Sequence, residues 1–126
     1  MRIVCDENMP GLEALAEAGA RLRSLPGREI QRGDLLDADA LLVRSVTSVD
    51  EALLAGTPVR FVGTATSGTD HIDQAALRDR GIAFADAAGA NANAVAEYVL
   101  AVLAALREPL ERLVRGGRVG IVGYGN

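Results

Sequence analysis

The sequence predicts an α/β fold built on a parallel β-sheet. Short apolar runs recur along the chain and alternate with segments of helical pattern, which is typical of a parallel sheet covered by helices. The composition, with 49% hydrophobic and 24% charged residues, is that of an ordinary folded α/β domain. At 126 residues the chain is long enough for one domain with its own core.

Six apolar runs are predicted to be strands. They are RIVCD (2–6), ARLRSL (20–25), ALLVRS (40–45), RFVGTA (60–65), IAFAD (82–86) and RVGIVG (118–123). Five of them precede residue 90, and the sixth begins a new unit. The single cysteine, Cys5, lies inside the first run and is interpreted as a small apolar residue of the core.

Two short helices are predicted after the first and third strands. Asp6, Glu7 and Asn8 are interpreted as the start of the first helix, and Pro10 suits its first turn. The other helix covers 49–55. Because the two carboxylates at the first helix start would repel an anionic ligand, they are given no binding role.

A third helix is predicted to begin at Asp70. Its carboxylate can cap free backbone amides, and Asp73 adds negative charge to the first turn. His71, the only histidine, then lies in that first turn. A general base needs an orienting partner, which the sequence does not reveal, so no catalytic role is assigned to His71. One histidine and one cysteine also give no cluster with the spacing of a metal site.

A fourth helix is predicted over 92–107 and is apolar on nearly every side. Such a helix is expected to be buried all round, as in a seam between domains or subunits, so a further domain and a dimer are both expected. Its apolar stretch is shorter than the roughly 20 residues that a membrane-spanning helix needs, and it contains Glu97. No membrane segment is predicted.

Charge and cysteine content argue against several classes of partner. The formal net charge is -4 and all 13 basic residues are arginines, so the chain lacks the broad cationic surface that binds nucleic acid or an anionic membrane. One cysteine cannot form an intramolecular disulfide, and the first residues have no apolar signal-peptide core. A cytoplasmic location is expected.

Small and polar residues follow the third and fourth strands. Ligands of open parallel sheets bind beyond the carboxyl ends of the strands, and a glycine-containing loop such as GTATSGTDHID can direct several backbone N–H groups at one anion. The predicted anion-binding residues are Ser45, Thr66, Arg44 and Ser67. An alternative stays open, in which the serine and threonine residues form turns and Arg44 lies in a surface ion pair.

The last eight residues, VGIVGYGN, match the beginning of a dinucleotide-binding fingerprint. Gly123 and Gly125 follow an apolar strand and correspond to the first two glycines of G-x-G-x-x-G, whose third glycine would fall two residues past Asn126. The partial motif predicts that a nucleotide-binding domain begins here and continues beyond the chain.

Several motifs taken together and in order resemble the NAD-dependent D-2-hydroxyacid dehydrogenases. The motifs are DENMP, LLVRSVT, FVGTATSGTDHID, NANAVAEYV and VGIVGYGN. VRS, G-x-D-x-ID and VAE are general to the family, whereas DENMP beside GTATSGTDH is similar to its branch that oxidises 4-phosphoerythronate. One departure is Ala-Gly-Ala at 88–90, where the family usually has Pro-Gly-Cys; it loosens the turn that leads to the connecting helix.

The resemblance implies a flavodoxin-like substrate domain (1–91), a connecting helix and turn (92–115) and the start of an NAD-binding Rossmann domain (116–126). It implies oxidation of 4-phospho-D-erythronate at C2 with NAD, in pyridoxal phosphate biosynthesis, by a cytoplasmic homodimer. Ser45 and Thr66 match the family's substrate contacts, and Arg44 and Ser67 are added from the loop argument. The family's catalytic residues would lie past residue 126, so the chain alone is expected to be inactive.

Three alternatives are kept. The first is another D-2-hydroxyacid dehydrogenase, such as one that acts on phosphoglycerate. The second is a phosphoacceptor receiver domain, which needs an Asp after the third strand and a Lys after the fifth; this chain has Arg44 and Ser45 at the former place and no lysine. The third is a stand-alone module that binds a small anion.

Overall fold

The computed structural model describes residues 1–120, and the chain divides into two compact units. The first unit, Met1–Ala87, holds a five-stranded parallel sheet. Its strands are β1 (Arg2–Asp6), β2 (Arg21–Leu25), β3 (Ala40–Val43), β4 (Phe61–Thr64) and β5 (Ala83–Ala85), in the order β2-β1-β3-β4-β5. This order is the flavodoxin-like one, so the predicted α/β class is confirmed.

The core of the first unit covers one face of the sheet. In register, Leu41 of β3 lies beside Val4 of β1 and beside Val62 of β4. These alternate strand residues pack with the segments that connect the strands: two 3₁₀ turns (Gly27–Glu29 and Arg32–Leu35), α2 (Glu51–Leu54) and α3 (Gln74–Asp79). The fully buried side chains of this cluster include Leu35, Leu41, Leu54 and Leu77. One apolar layer therefore holds the strands whose carboxyl ends carry the predicted site.

The helix expected at Asp6 to Asn8 begins later, so that prediction is wrong. The helix α1 (Leu12–Glu17) follows Gly11, which has a φ of 79°. Asp6 instead holds a turn. Its side-chain Oδ1 accepts the Asn8 N–H at 2.8 Å, and its backbone carbonyl oxygen accepts the Met9 N–H at 3.0 Å. An aspartate side chain that bonds the backbone two residues ahead favours a turn over a helix.

The predicted start of α3 at Asp70 is also wrong, because the helix begins at Gln74 and Asp73 is its N-cap. The Asp73 carboxylate accepts the Ala76 N–H at 2.9 Å. The preceding residues cannot be helical because they pair with Val49: its N–H donates to the His71 carbonyl at 2.8 Å, and its carbonyl accepts the Asp73 N–H at 2.8 Å. Asp50 caps α2 in the same way, through the Leu53 N–H at 2.9 Å.

Alanine substitutions at Asp70 and Asp73 test which of these two residues caps α3. We expect Asp73→Ala to lower the free energy of unfolding by about 1 kcal/mol, since it removes the acceptor of a free helical amide. Asp70→Ala, the matched control, should change it by less than about 0.5 kcal/mol. Urea denaturation followed by circular dichroism measures both, and a larger loss for Asp70→Ala would contradict the assignment of the cap.

The second unit contains α4 (Ala92–Ala105) and α5 (Glu108–Val114) in its described part. The sequence did not predict α5. It ends in a Schellman turn, in which Gly116, at a φ of 87°, and Gly117 donate to the carbonyls of Leu113 and Arg112. Of the predicted sixth strand, residues 118–120 are not in a strand, and the remainder lies outside the described residues.

The helix α4 is exposed in the described chain, so the prediction that it is buried all round is not met here. None of its residues is buried, and Tyr98 and Leu100 are 71% and 61% exposed. Over residues 1–120, no helix combines the length and apolar character needed to cross a membrane.

Candidate functional site

A cleft of about 270 Å³ opens at the carboxyl edge of the sheet, where the strand order reverses between β1 and β3. Sheets of this order bind ligands at that reversal, because the loops that follow β1 and β3 separate there and leave a crevice. Residues at or after the ends of β1, β2 and β3 line the cleft, including Asp6, Arg28 and Arg44. Glu7 and Glu29 line it as well, so the cleft presents charges of both signs.

Arg44 brings a free guanidinium group to this cleft. It follows Val43, the last residue of β3, and is partly buried. Among residues 1–120 it takes part in none of the ion pairs and side-chain hydrogen bonds, unlike Arg23, which pairs with Asp34 at 2.6 Å. Its five N–H donors are therefore available for a carboxylate or phosphate.

Asp6 lies at the floor of the same cleft and is fully buried. Its Oδ1 is bonded to the Asn8 N–H, whereas its Oδ2 has no hydrogen-bond partner within the described residues. Gly27 permits this position, since a Cβ atom at Gly27 would stand 2.3 Å from the Asp6 Oδ2. The carboxyl group and the loop after β2 are thus packed in direct contact.

The loop after β4 carries a chain of hydrogen-bonded side chains. Thr64, the last residue of β4, is 4% exposed, and its Oγ1 lies 2.8 Å from the Oγ1 of Thr66. The same Thr64 oxygen lies 3.0 Å from Nε2 of His71, and the Thr66 hydroxyl donates to the Gly68 carbonyl at 3.0 Å. The loop that was predicted to bind an anion is therefore organised from within by hydroxyl groups.

His71 lies in this loop and not in the first turn of α3, which corrects the predicted placement. Its orienting partner is Thr64, which lies in the predicted strand 60–65 and is not among the predicted binding residues. The bridge between Val49 and Ile72 fixes the neighbouring backbone, and it also ties the loop after β3 to the loop after β4. Both predicted binding loops are thereby held together.

Ser45 and Thr66 leave the sheet at neighbouring points. In register, Val43 of β3 lies beside Thr64 of β4, and Ser45 and Thr66 each follow two residues later. The Ala65 N–H donates to the Val43 carbonyl at 3.0 Å and keeps the two strand ends together. Ser45 is exposed and Thr66 is partly buried, so both hydroxyl groups lie at the surface of this edge.

Ser67 is exposed and lies further from the strand ends. Its hydroxyl group donates to the Ala87 carbonyl at 3.5 Å, and the Ala87 N–H donates to the Thr66 carbonyl at 3.2 Å. Ser67 therefore helps to fasten the loop to the segment after β5. Gly123 and Gly125, the predicted cofactor-binding glycines, lie outside the described residues.

Four residues of this edge were not among the predicted site residues: Asp6, Arg28, Thr64 and His71. Asp6 was interpreted as a helix start, although it ends β1 at the edge where ligands of open parallel sheets bind. Arg28 gave no signal, because the cleft that contains it depends on the order of the strands. Over residues 1–120 no group of three or more His, Cys, Asp or Glu residues could hold a metal ion.

A second cleft, of about 370 Å³, lies within the second unit and is lined by Leu103, Arg112 and Leu113 among others. It is larger than the cleft at the sheet edge, but none of its described lining residues is a predicted binding residue. Size alone does not make it the functional site, because its described lining is apolar apart from Arg112 and Arg118.

The fold and its polar carboxyl edge are typical of α/β proteins that bind a small ligand beside the sheet. The chain belongs to the D-isomer specific 2-hydroxyacid dehydrogenase family, because residues 6–117 match the catalytic domain of that family. Its relatives include the erythronate-4-phosphate dehydrogenases of Yersinia pestis and Yersinia pseudotuberculosis, each 52% identical over all 126 residues. The match covers 34% of each relative, so the chain spans about a third of their length.

Solved structures of the same family resemble the chain along nearly its whole length. The TT0316 protein of Thermus thermophilus has a TM-score of 0.68 and 25% identity, over 98% of this chain and 43% of its own. The 3-phosphoglycerate dehydrogenase of Entamoeba histolytica, solved with NAD+ bound, has a TM-score of 0.65 and 25% identity, over 100% of this chain and 42% of its own.

Proposed function

We propose that this chain is the N-terminal part of an NAD-dependent enzyme that oxidises 4-phospho-D-erythronate at C2 to the 2-oxo acid. The observation that carries the proposal is the 52% identity, over the whole chain, to proteins named erythronate-4-phosphate dehydrogenase. Such an oxidation removes a hydride from C2, which NAD accepts, and a proton from the C2 hydroxyl group. In the cell this reaction would serve pyridoxal phosphate biosynthesis in the cytoplasm.

In this proposal the chain supplies substrate binding and none of the catalytic groups. Residues 1–91 form the N-terminal portion of the substrate domain, 92–115 connect the domains, and 116–126 begin the NAD-binding domain. Gly123 and Gly125 would allow the cofactor pyrophosphate to approach the backbone closely. The groups that take up the hydroxyl proton would lie past residue 126.

The described residues suit a small anionic hydroxy acid. Thr66 and Ser45 present hydroxyl groups at neighbouring strand ends, and Arg44 presents an unpaired guanidinium group in the adjoining cleft. Hydroxyl and guanidinium donors are the groups that bind carboxylate and phosphate oxygens. We assign substrate binding to Ser45, Thr66 and Arg44. We place Ser67 beside the substrate as well, where it also holds the loop.

We further propose that the whole enzyme is a homodimer. The exposed apolar side chains of α4 support this, since side chains of this kind are commonly covered in an interface. Sedimentation of the complete protein would show a dimer, and a monomer at micromolar concentration would contradict this part of the proposal.

The test is steady-state kinetics of the complete protein with NAD and either 4-phosphoerythronate or 3-phosphoglycerate. We expect kcat/KM to favour 4-phosphoerythronate by more than about 100-fold, and the 126-residue chain alone to produce no NADH. The second substrate is the serious alternative because a 3-phosphoglycerate dehydrogenase shares the fold at 25% identity. A preference for 3-phosphoglycerate, or turnover by the isolated chain, would overturn the proposal.

A further inference from the structure

We propose that His71 is a positioning residue that holds the Thr66 hydroxyl group as a hydrogen-bond donor toward the substrate, acting through Thr64. The inference rests on the proposed function, in which Thr66 contacts the substrate. It begins from four polar groups joined in sequence by distances of 3.0, 2.8 and 3.0 Å: His71 Nε2, Thr64 Oγ1, Thr66 Oγ1 and the Gly68 carbonyl.

The direction of these hydrogen bonds follows from the last group of the series, the Gly68 carbonyl. A carbonyl oxygen can only accept, so the single hydroxyl proton of Thr66 is used on Gly68. Thr66 must then accept a hydrogen bond from Thr64, and this uses the single hydroxyl proton of Thr64. Thr64 can therefore only accept from His71, which requires a proton on Nε2 of the imidazole ring. Both the Nε2–H tautomer and the imidazolium ion meet this requirement.

The reverse direction would disable Thr66 as a donor. If Nε2 carried a lone pair, Thr64 would donate to His71 and Thr66 would donate to Thr64. The Gly68 carbonyl and any bound anion would then meet a lone pair of Thr66 instead of a proton. The tautomer of His71 thus decides whether Thr66 can bind an anionic oxygen.

The hydrogen-bonded series from His71 to Gly68 is rigid at its His71 end. Thr64 is buried and ends β4, and the backbone around His71 is fixed by its pairing with Val49. Thr66, at the other end, is partly exposed and bonded to a carbonyl of a surface loop. A substrate oxygen can replace the Gly68 carbonyl as the acceptor without any other member of the chain reversing its hydrogen bond.

The chemical class of the ligand atom follows from this geometry. Thr66 offers its single proton and accepts from Thr64 on one of its two lone pairs, so the proton favours an oxygen that accepts: a carboxylate, a phosphate or a carbonyl group. A substrate hydroxyl group that donates would meet only the second lone pair of Thr66 and would leave the Thr66 proton on the Gly68 carbonyl. In the proposed reaction, the carboxylate of the hydroxy acid fits this requirement.

The first test is spectroscopic and independent of activity. Because His71 is the only histidine, a long-range ¹H–¹⁵N spectrum of the ¹⁵N-labelled 126-residue chain reports one imidazole ring. We expect the neutral ring to carry its proton on Nε2, and this preference to weaken in Thr64→Val while it persists in Thr64→Ser. A neutral ring protonated on Nδ1 would overturn the inference.

The second test is kinetic and uses the complete enzyme. His71→Leu should raise KM for 4-phosphoerythronate by about 10-fold, with kcat and KM for NAD little changed, because one oriented hydrogen bond to the substrate is lost. His71→Gln should stay within about 3-fold of the wild type, since its side-chain amide still donates. Equal KM values for His71→Leu and wild type, or equal impairment of the two variants, would refute the inference.

A second pair of variants guards against misfolding of His71→Leu. Thr64→Val is nearly isosteric and should raise KM as His71→Leu does, whereas Thr64→Ser should retain the wild-type value. If the wild-type enzyme does not oxidise 4-phosphoerythronate, the proposed function fails, while the tautomer measurement still decides the hydrogen-bond direction.

Discussion

Replacing Gly27 with alanine is expected to lower the free energy of unfolding of the first unit by about 3 kcal/mol, the upper range for overpacking a filled site. The added Cβ atom would stand 2.3 Å from the Asp6 Oδ2 and 2.9 Å from Cγ2 of Val46. Neither the Asp6 carboxyl group nor the Gly27 backbone can move freely. The Asp6 carboxyl group is buried and bonded to the Asn8 N–H, and the Gly27 carbonyl is held by the Thr47 hydroxyl group at 2.8 Å.

Gly33→Ala is the matched control for this experiment. Gly33 also lies in a 3₁₀ turn after β2, but a Cβ atom there would meet nothing within 4 Å. We expect a change of less than about 0.5 kcal/mol, which urea denaturation of the two variants side by side would measure. Equal stability of the two variants would mean that the Asp6 carboxyl group can leave its place without cost, and that the floor of the cleft is not rigid.

The strands of the fold were predictable because their signal is local. Apolar runs such as ALLV and FVGT identify β3 and β4, and the polar residues that follow mark the ends of both. The order of the strands is not local, since it depends on which connection crosses which face. Only that order places Arg28, which follows β2, in one cleft with Arg44, which follows β3.

The misplaced helix starts have a physical reason. Asp70 and Asp73 carry the same capping signal, and the choice between them is made by Val49, which is distant in the sequence and pairs with residues 71–73. The same pairing takes His71 out of the helix and sets it against Thr64. Sequence reading therefore found the loop that we assign to the substrate but not the hydrogen bonds that organise it.

For helix α4 the element was predicted correctly but its burial was not. Its periodicity shows that Val95, Val99 and Leu100 suit an apolar environment, yet each is at least half exposed in the described chain. A pattern of apolar residues indicates that a surface needs a cover without identifying what covers it.

Replacing Arg44 with methionine is expected to raise KM of the complete enzyme for 4-phosphoerythronate by about 100-fold, or roughly 3 kcal/mol. The expectation follows from three properties of this residue. It lines the cleft at the strand-order reversal, it is partly buried, and it has no ion-pair partner among residues 1–120. A guanidinium group in that position gains little from the folded chain itself, so its interaction energy is available to the substrate.

Two further substitutions distinguish a bidentate contact from a general charge effect. Arg44→Lys keeps the charge but loses the planar fork, and should raise KM by about 10-fold. Arg32→Met, the matched control, removes a positive charge from an exposed residue that does not line the cleft, and should change KM by less than about 2-fold. If Arg44→Met binds the substrate as the wild type does, the anion lies elsewhere on the edge, and the hydroxyl groups of Ser45 and Thr66 would have to hold it with the loop amides alone.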